Sequence, residues 1–409
     1  LQQRRRSRTI FAHSARARLE HPPSTGTEKT DVLRLFSGQN FKNQNFGTIE
    51  MPQSPVKEIV KLPLSSRMTP YNTTIENLTP NPGTDLLRYA RTKPGVVSLA
   101  QGEGSLPTPS FICDAAMKAL KEENKTFYAP ILGHPDLRAE LSTYYKNIYG
   151  LDIPQNRFFV TSSGTTAVHL SLAAIINSGD EVVALTPIWK NLMSAMEIAE
   201  AKIKQVGMNY VDGKGWLLDL NRLFAACTPA TKAIMIVTPS NPTGWVMTTA
   251  EMKAVMDFAR ERGIWVVADE VYTRTVYGQV RAPSFLDVSE PDDLLLVINS
   301  FSKTWAMTGW RLGWIVGPSS AEMKICDLAV YNNMGPPSFT QYGALAALRQ
   351  GEGFLTEQMT LWRSNLDLLM DRFAQMPKIS IVRPESSFYA FFKAAGEEDC
   401  IAFCTRLID

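Results

Sequence analysis

The chain has 409 residues, 44% of them hydrophobic and 20% charged, with a formal net charge of +2. This is the composition of a folded protein with at least one full core, and the length allows two domains. The longest apolar runs, such as Ile264-Trp265-Val266-Val267-Ala268, are strand length, far too short for stable membrane insertion as a spanning helix.

The charge is uneven. Residues 1–19 hold six arginines (Arg4, Arg5, Arg6, Arg8, Arg16, Arg18) and no acid, so the rest of the chain is mildly acidic. A nucleic-acid binder carries its positive charge on the folded part, so no nucleic-acid partner is expected. The arginine-rich stretch reads either as an organelle-targeting leader or as appended sequence foreign to the folded protein, and the expected location is cytoplasmic, with an organelle as the alternative. Cys113, Cys227, Cys326, Cys400 and Cys404, with four scattered histidines, have neither metal-site spacing nor a disulfide framework, which fits a reducing compartment. Cys400 and Cys404 share a helix face and are expected as buried small apolar residues.

Residues 1–60 are rich in Gln, Asn, Ser, Thr and Pro, without a period, and read as a disordered or leader segment. Residues 61–105 read as an arm and the beginning of a smaller domain, with Thr69 to Pro82 irregular. Helices are predicted over Ser110–Glu123 and Pro135–Tyr149. Strands then alternate with helices. The strands are Arg157–Thr161, Glu181–Leu185, Lys202–Gly207, Lys232–Val237, Ile264–Ala268, Leu294–Ser300 and Gly313–Val316. The helices between them are Thr165–Asn177, Leu192–Ala201, Leu218–Cys227 and Thr249–Arg262. Apolar strands separated by helices predict an α/β domain over 106–319 with a mostly parallel sheet. Residues 320–409 read as a smaller α+β domain. It has helices over Ala321–Met334, Pro337–Arg349, Gly353–Ala374 and Asp399–Leu407, and a strand pair Ile379–Arg383 and Ser387–Phe392.

In such a sheet the working loops lie beyond the carboxyl ends of the strands, and five of them carry chemistry here. Ser162-Ser163-Gly164-Thr165-Thr166 opens a helix after a strand. Its N–H groups and the Thr165 hydroxyl suit a phosphate, although these are also ordinary turn and capping residues. Trp189 leaves a strand end, where it is either core packing or a plate for a flat ring. Asn241-Pro242-Thr243-Gly244 is either a plain turn or a rigid turn that aims an amide at an oxygen. Asp269 ends a fully apolar strand and needs a partner once desolvated, for which a protonated ring nitrogen serves, with Tyr272 three residues on. Ser300-Phe301-Ser302-Lys303 with Arg311 sets an amine that can bond a carbonyl near a guanidinium that can clamp a phosphate. Pyridoxal phosphate is a cofactor that needs all of these.

Together these residues closely resemble the class I/II aminotransferase family of fold-type-I pyridoxal-phosphate enzymes, over about residues 67–409. The resemblance implies a Schiff base on Lys303, with Asp269 on the ring nitrogen and Tyr272 and Asn241 on the ring hydroxyl. It implies Ser163, Gly164, Thr165, Ser300 and Arg311 on the phosphate and Trp189 against the ring. Tyr128, in Tyr128-Ala129-Pro130-Ile131-Leu132-Gly133, would reach the phosphate of a neighbouring subunit in a homodimer. Gly102, in Gln101-Gly102-Glu103-Gly104, would lie over the substrate, with Trp189 and Asn241 beside it. The implied catalytic residues are Lys303, Asp269 and Tyr272. The implied activity moves an amino group from an α-amino acid to a 2-oxo acid.

Two departures stand out. The family's usual proline after Gly-Glu is replaced by Gly104, which predicts a looser entrance loop. Family members also continue for several tens of residues past the point matching Asp409, and that portion carries the arginine that grips the substrate's α-carboxylate. No residue here matches it, and neither Arg383 nor Arg406 stands at its place. The stretch Tyr331 to Pro337 has no arginine for a side-chain carboxylate, which favours neutral or aromatic substrates. A carbon–sulfur β-lyase, or a silent cofactor-binding partner subunit, are the alternative readings.

Overall fold

A strand apolar on both faces must be covered above and below, and the intervening helices supply that cover. The computed structural model describes residues 71–409, so the expected leader over 1–60 and the start of the arm lie outside the described residues. The strands are β1 (Phe158–Thr161), β2 (Glu181–Thr186), β3 (Lys202–Gly207), β4 (Asn209–Val211), β5 (Gly215–Leu217) and β6 (Thr231–Val237). They continue with β7 (Trp265–Asp269), β8 (Leu295–Ser300), β9 (Gly313–Val316), β10 (Ile379–Ser380) and β11 (Lys393–Ala394). Seven form one sheet in the order β1-β9-β8-β7-β6-β2-β3. The pairs from β8 through β3 are parallel, and β9 is antiparallel to both β1 and β8. Six strands therefore end at one edge, and Gly313, the first residue of β9, returns to it opposite Thr161 and Ser300.

Successive strand residues point to opposite faces, so the sheet divides its apolar side chains between two cores. Val160, Val183, Ile236, Val266 and Val297 lie in one, and Phe159, Val182, Met235, Val267 and Ile298 in the other. Each fully buried side chain of this size contributes roughly 1.5–3 kcal/mol before entropy is counted. The helix Thr249–Arg262 packs on the first core. It starts at a capping box made by Thr248 and Glu251 and stops at Gly263, whose φ is 63°. The helix Gly164–Ile175 packs on the second core.

The structure departs from the sequence expectations in several places. The arm is less irregular than predicted: Asn72 caps a turn of helix at Thr73–Glu76, and Pro82 begins a helix, Pro82–Ala90. Proline at the first helical position gives up an N–H that has no partner there anyway. The β4–β5 hairpin, turned through Gly213, was not predicted because its strands are three residues long. The predicted strand Ser387–Phe392 does not form. Instead Ile379 and Ser380 pair with Ala394 and Lys393, while Ser386 bridges to Val276 and Ser387 takes a left-handed φ of 65°. Ser387, at the start of that stretch, donates its N–H to the Thr275 carbonyl and accepts from Tyr277 OH, so its backbone is bonded away from a partner strand. Finally, Cys400 is exposed and Cys404 half-buried, because the helix Cys400–Ile408 lies at the surface with Ile401 and Leu407 also exposed.

All the described residues belong to one compact unit. No helix among the described residues is long and apolar enough to cross a membrane.

Candidate active site

The edge where the strands end gathers most of the residues singled out in the sequence. Asp269, the last residue of β7, is 4% exposed. Its Oδ1 accepts from the Val271 N–H at 3.2 Å. Burial raises its pKa to about 6, against the opposing pull of that hydrogen bond and of the Lys303 charge. Among the described residues no cation lies within ion-pair distance of it.

Ser300 ends β8, and its hydroxyl caps the short helix Phe301–Thr304 by accepting from Ser302 N at 3.1 Å. That helix presents Lys303, whose Nζ donates to the carbonyl oxygen of Gly102 and lies 5.9 Å from the centre of the Phe388 ring. Burial holds the Lys303 amine below its ordinary pKa. Glu103 and Asp269 oppose that shift, and Arg311 adds to it.

Gly164 begins its helix beside this strand end. The Ser163 hydroxyl is spent as the helix cap, accepting from Thr166 N at 2.9 Å. The first N–H groups of a helix have no partner within it, which leaves those of Gly164 and Thr165 at its open end. The approach is tightest at Gly313, where a Cβ would come within 2.6 Å of Gly164 N and 2.8 Å of the Asn299 carbonyl oxygen. Arg311 is exposed, with a left-handed φ of 51°, and its Nη1 donates to the Thr308 carbonyl at 2.9 Å. A cavity of about 730 Å³ opens beside it, lined in part by Glu103, Gly104, Thr308 and Trp310.

Asn241 and Tyr272 meet at a residue that the sequence did not single out. Tyr389 OH lies 2.8 Å from Tyr272 OH and accepts from Asn241 Nδ2 at 3.2 Å. Burial first, and Tyr389 second, push Tyr272 well above the usual tyrosine range. A Cβ on Gly102 would come within 2.3 Å of the same Tyr389 hydroxyl. The Phe388 ring centre lies 4.7 Å from that of Trp362 and 4.8 Å from that of Tyr389, so an aromatic wall stands beside Lys303. Phe388 and Tyr389 sit in the stretch expected as a strand, where alternation gives no sign that both approach the site.

Two expected site residues stand apart from this cluster. Trp189 follows β2, precedes the next helix and is 37% exposed, which argues against the core-packing reading. Tyr128 is 83% exposed. The entrance loop is not slack at Gly104, where a Cβ would press within 3.1 Å of the Trp362 ring. Arg383 pairs with Asp367 and Arg406 with Glu397, both at the surface.

The arrangement fits pyridoxal phosphate on its own chemistry. A buried carboxyl without a cation suits a ring nitrogen, a desolvated amine suits an aldehyde, and a tight glycine cradle at a helix start suits a phosphate. Fold and site together define a pyridoxal-phosphate-dependent enzyme of fold type I. An aspartate aminotransferase variant from Thermus thermophilus superposes with a TM-score of 0.78 at 28% identity, covering 83% of this chain and 90% of that one. The model for aminotransferase class I and II matches residues 94–409, and the chain belongs to that family. It is 31% identical to the aspartate aminotransferase of Geobacillus stearothermophilus over 77% of this chain and 79% of that protein. It is 30% identical to aromatic-amino-acid aminotransferase 2 of Thermococcus litoralis, over 78% of this chain and 81% of that protein.

Proposed function

We propose that this aminotransferase moves the amino group of a neutral or aromatic amino acid to a 2-oxo acid, with Lys303 as the residue that carries the cofactor and moves the proton. The observation behind this reading is the Lys303 amine, held below its usual pKa by burial and set on the Gly102 carbonyl beside Asp269. Only the uncharged nitrogen attacks a carbonyl carbon or takes a proton, so a lowered pKa makes a better nucleophile and base. Pyridoxal phosphate, when bound, supplies an electron-withdrawing ring that eases the breaking of a bond at the substrate's α-carbon.

The chain's own residues have distinct tasks in this reading. Asp269 would hold the protonated ring nitrogen, the cation its carboxyl lacks, and that charge would draw its pKa down from about 6. Asn241 and Tyr272 would donate to the ring hydroxyl oxygen. The N–H groups of Gly164 and Thr165, with Arg311, would hold the phosphate, and Ser163 and Ser300 shape that pocket by capping the two helices at its rim. Trp189 would cover the ring face. Tyr128 from a second copy of the chain would complete the site, which makes the working form a homodimer, each copy with a large domain (106–319) and a smaller one (320–409 with the arm and N-terminal part, 61–105). Lys303 Nζ would take the proton from the substrate's α-carbon as general base and, as general acid, deliver it to the carbon that gains it when the amino group leaves the substrate. Gly102, Trp189 and Asn241 would line the substrate's side.

The aromatic wall of Trp362, Phe388 and Tyr389 supports the substrate preference, as does the absence of arginine from Tyr331 to Pro337. Borohydride reduction followed by peptide mass analysis tests the lysine. The cofactor's mass is expected on the peptide with Lys303 and is expected to vanish in Lys303→Ala. An unlabelled Lys303 in cofactor-saturated protein overturns the reading. Turnover is expected to favour phenylalanine over aspartate with one common 2-oxo acid, and the reverse order sinks the substrate preference alone.

A further inference from the structure

Asn241 and Tyr272 are the two donors assigned above to the cofactor's ring hydroxyl oxygen, and in this structure both converge on one protein oxygen. That oxygen is the Tyr389 hydroxyl, 2.8 Å from Tyr272 OH and 3.2 Å from Asn241 Nδ2. A hydroxyl oxygen has two lone pairs and can accept from both donors at once. The chemistry is also alike, since each is a phenol oxygen on an aromatic ring. Its lodging is close: a Cβ at Gly102 would stand 2.3 Å from it, and the carbonyl of Gly102 holds Lys303 Nζ. Two oxygens cannot both sit at hydrogen-bond distance in the one spot on which these donors converge.

The backbone on either side of this ring is anchored outside the span that carries it. Ser387 N donates to the Thr275 carbonyl at 2.8 Å, Ser386 Oγ donates to the same oxygen at 3.1 Å, and Tyr277 OH donates to the Ser387 carbonyl at 2.5 Å. The next pairing begins at Lys393. Residues 388–392 thus run between two anchors without strand hydrogen bonds, and Tyr389 sits on that span.

We propose that Tyr389 is an internal stand-in for the cofactor's ring hydroxyl, keeping Asn241 and Tyr272 paired in the cofactor-free chain and leaving them when pyridoxal phosphate binds. This rests on the reading of Asn241 and Tyr272 given above. Buried donors without partners destabilise a fold, so the stand-in protects the empty site. It also weakens uptake, because the apparent affinity is the intrinsic one reduced by the fraction of chains whose donors are free.

The test uses the full chain stripped of cofactor and titrated with pyridoxal phosphate, with binding followed by the absorption of the lysine-bound cofactor. Tyr389→Phe keeps the ring and removes the oxygen, and it is expected to bind about three- to tenfold more tightly than wild type, the worth of a typical net hydrogen bond. Tyr389→Leu also lacks the oxygen and is expected to show a gain in the same direction. With the 3-deoxy analogue, which has no ring hydroxyl to compete, wild type and Tyr389→Phe are expected to bind alike. Equal or weaker binding of pyridoxal phosphate by both variants, while borohydride still labels Lys303, overturns the stand-in and leaves the parent reading intact. An equal gain with the 3-deoxy analogue also overturns it, since the effect would then be steric. Failure to label Lys303 in wild type removes the parent reading and this inference with it.

Discussion

Asp269 and Glu270 are neighbours in the chain with different surroundings. Asp269 faces the site and accepts one backbone N–H. Glu270 faces the core, fully buried, and accepts from Ser284 Oγ at 2.6 Å and Phe285 N at 2.8 Å. Burial outweighs those bonds and lifts the Glu270 carboxyl from 4.5 to about 8. Between those values the folded chain holds a proton that the unfolded chain has lost, so this group's contribution is fully present below pH 4.5 and is lost as the pH rises through 8. Urea melts of wild type at pH 5 and pH 8 are expected to show that fall, with a slope from this group of at most about 1.4 kcal/mol per pH unit. Glu270→Gln, neutral throughout, is expected to flatten it. For Asp269 the expectation concerns turnover. Asp269→Ala removes the partner proposed for the ring nitrogen and is expected to cost about two to three orders of magnitude in kcat. Borohydride labelling of Lys303 in that variant would show that the cofactor still attaches. Gly313→Ala would drive a methyl against backbone at 2.6 Å, and weaker cofactor binding measured by equilibrium dialysis is its expected signature.

Among the elements, the helix Thr249–Arg262 was legible at both ends because its signals are local. Thr248→Ala breaks its capping box and is expected to cost about 1 kcal/mol in a denaturant melt without altering KM. The helix Pro135–Tyr144 runs on as a π-turn over Tyr145–Tyr149, where the Tyr145 and Tyr149 rings stack at 4.3 Å. Apolar spacing alone reads that stretch as one α-helix, because the wider turn changes the hydrogen bonds and leaves the residue types unaltered. The missed strand at Ser387–Phe392 has the opposite cause. Its composition suits a strand, but its first residue, Ser387, spends its backbone N–H and carbonyl on Thr275 and Tyr277, more than a hundred residues away in sequence.

For the whole molecule, the proposed homodimer rests on exposed apolar side chains as well as on the role given to Tyr128. Val97, Leu99, Phe127 and Tyr128 are all at least 80% exposed, which leaves them open to contact with another chain. Mixing two inactive variants tests the shared site. Tyr128→Ala and Lys303→Ala each spoil both sites of their own dimer, whereas a mixed dimer holds one site with both residues intact. Activity is therefore expected to reappear on mixing and to be absent from either variant alone. No recovery, with mixed dimers verified by mass, would place Tyr128 outside the neighbour's site.

The residue types at the strand ends, and therefore the cofactor class, were settled by the sequence alone. An acid after an apolar strand, a lysine behind a serine cap and a glycine turn into a helix each obey local rules of burial, capping and backbone shape. The sequence also determined the α/β order of the elements, because two-faced burial leaves its mark on every strand. Only the tertiary structure decided that Tyr389 joins Asn241 and Tyr272, that Trp362 presses on Gly104, and that Gly313 rather than Gly164 is the tightest point of the cradle. Those are contacts between segments far apart in the chain. They depend on which groups reach an oxygen or fill a space first, a competition among distant partners that no local pattern records.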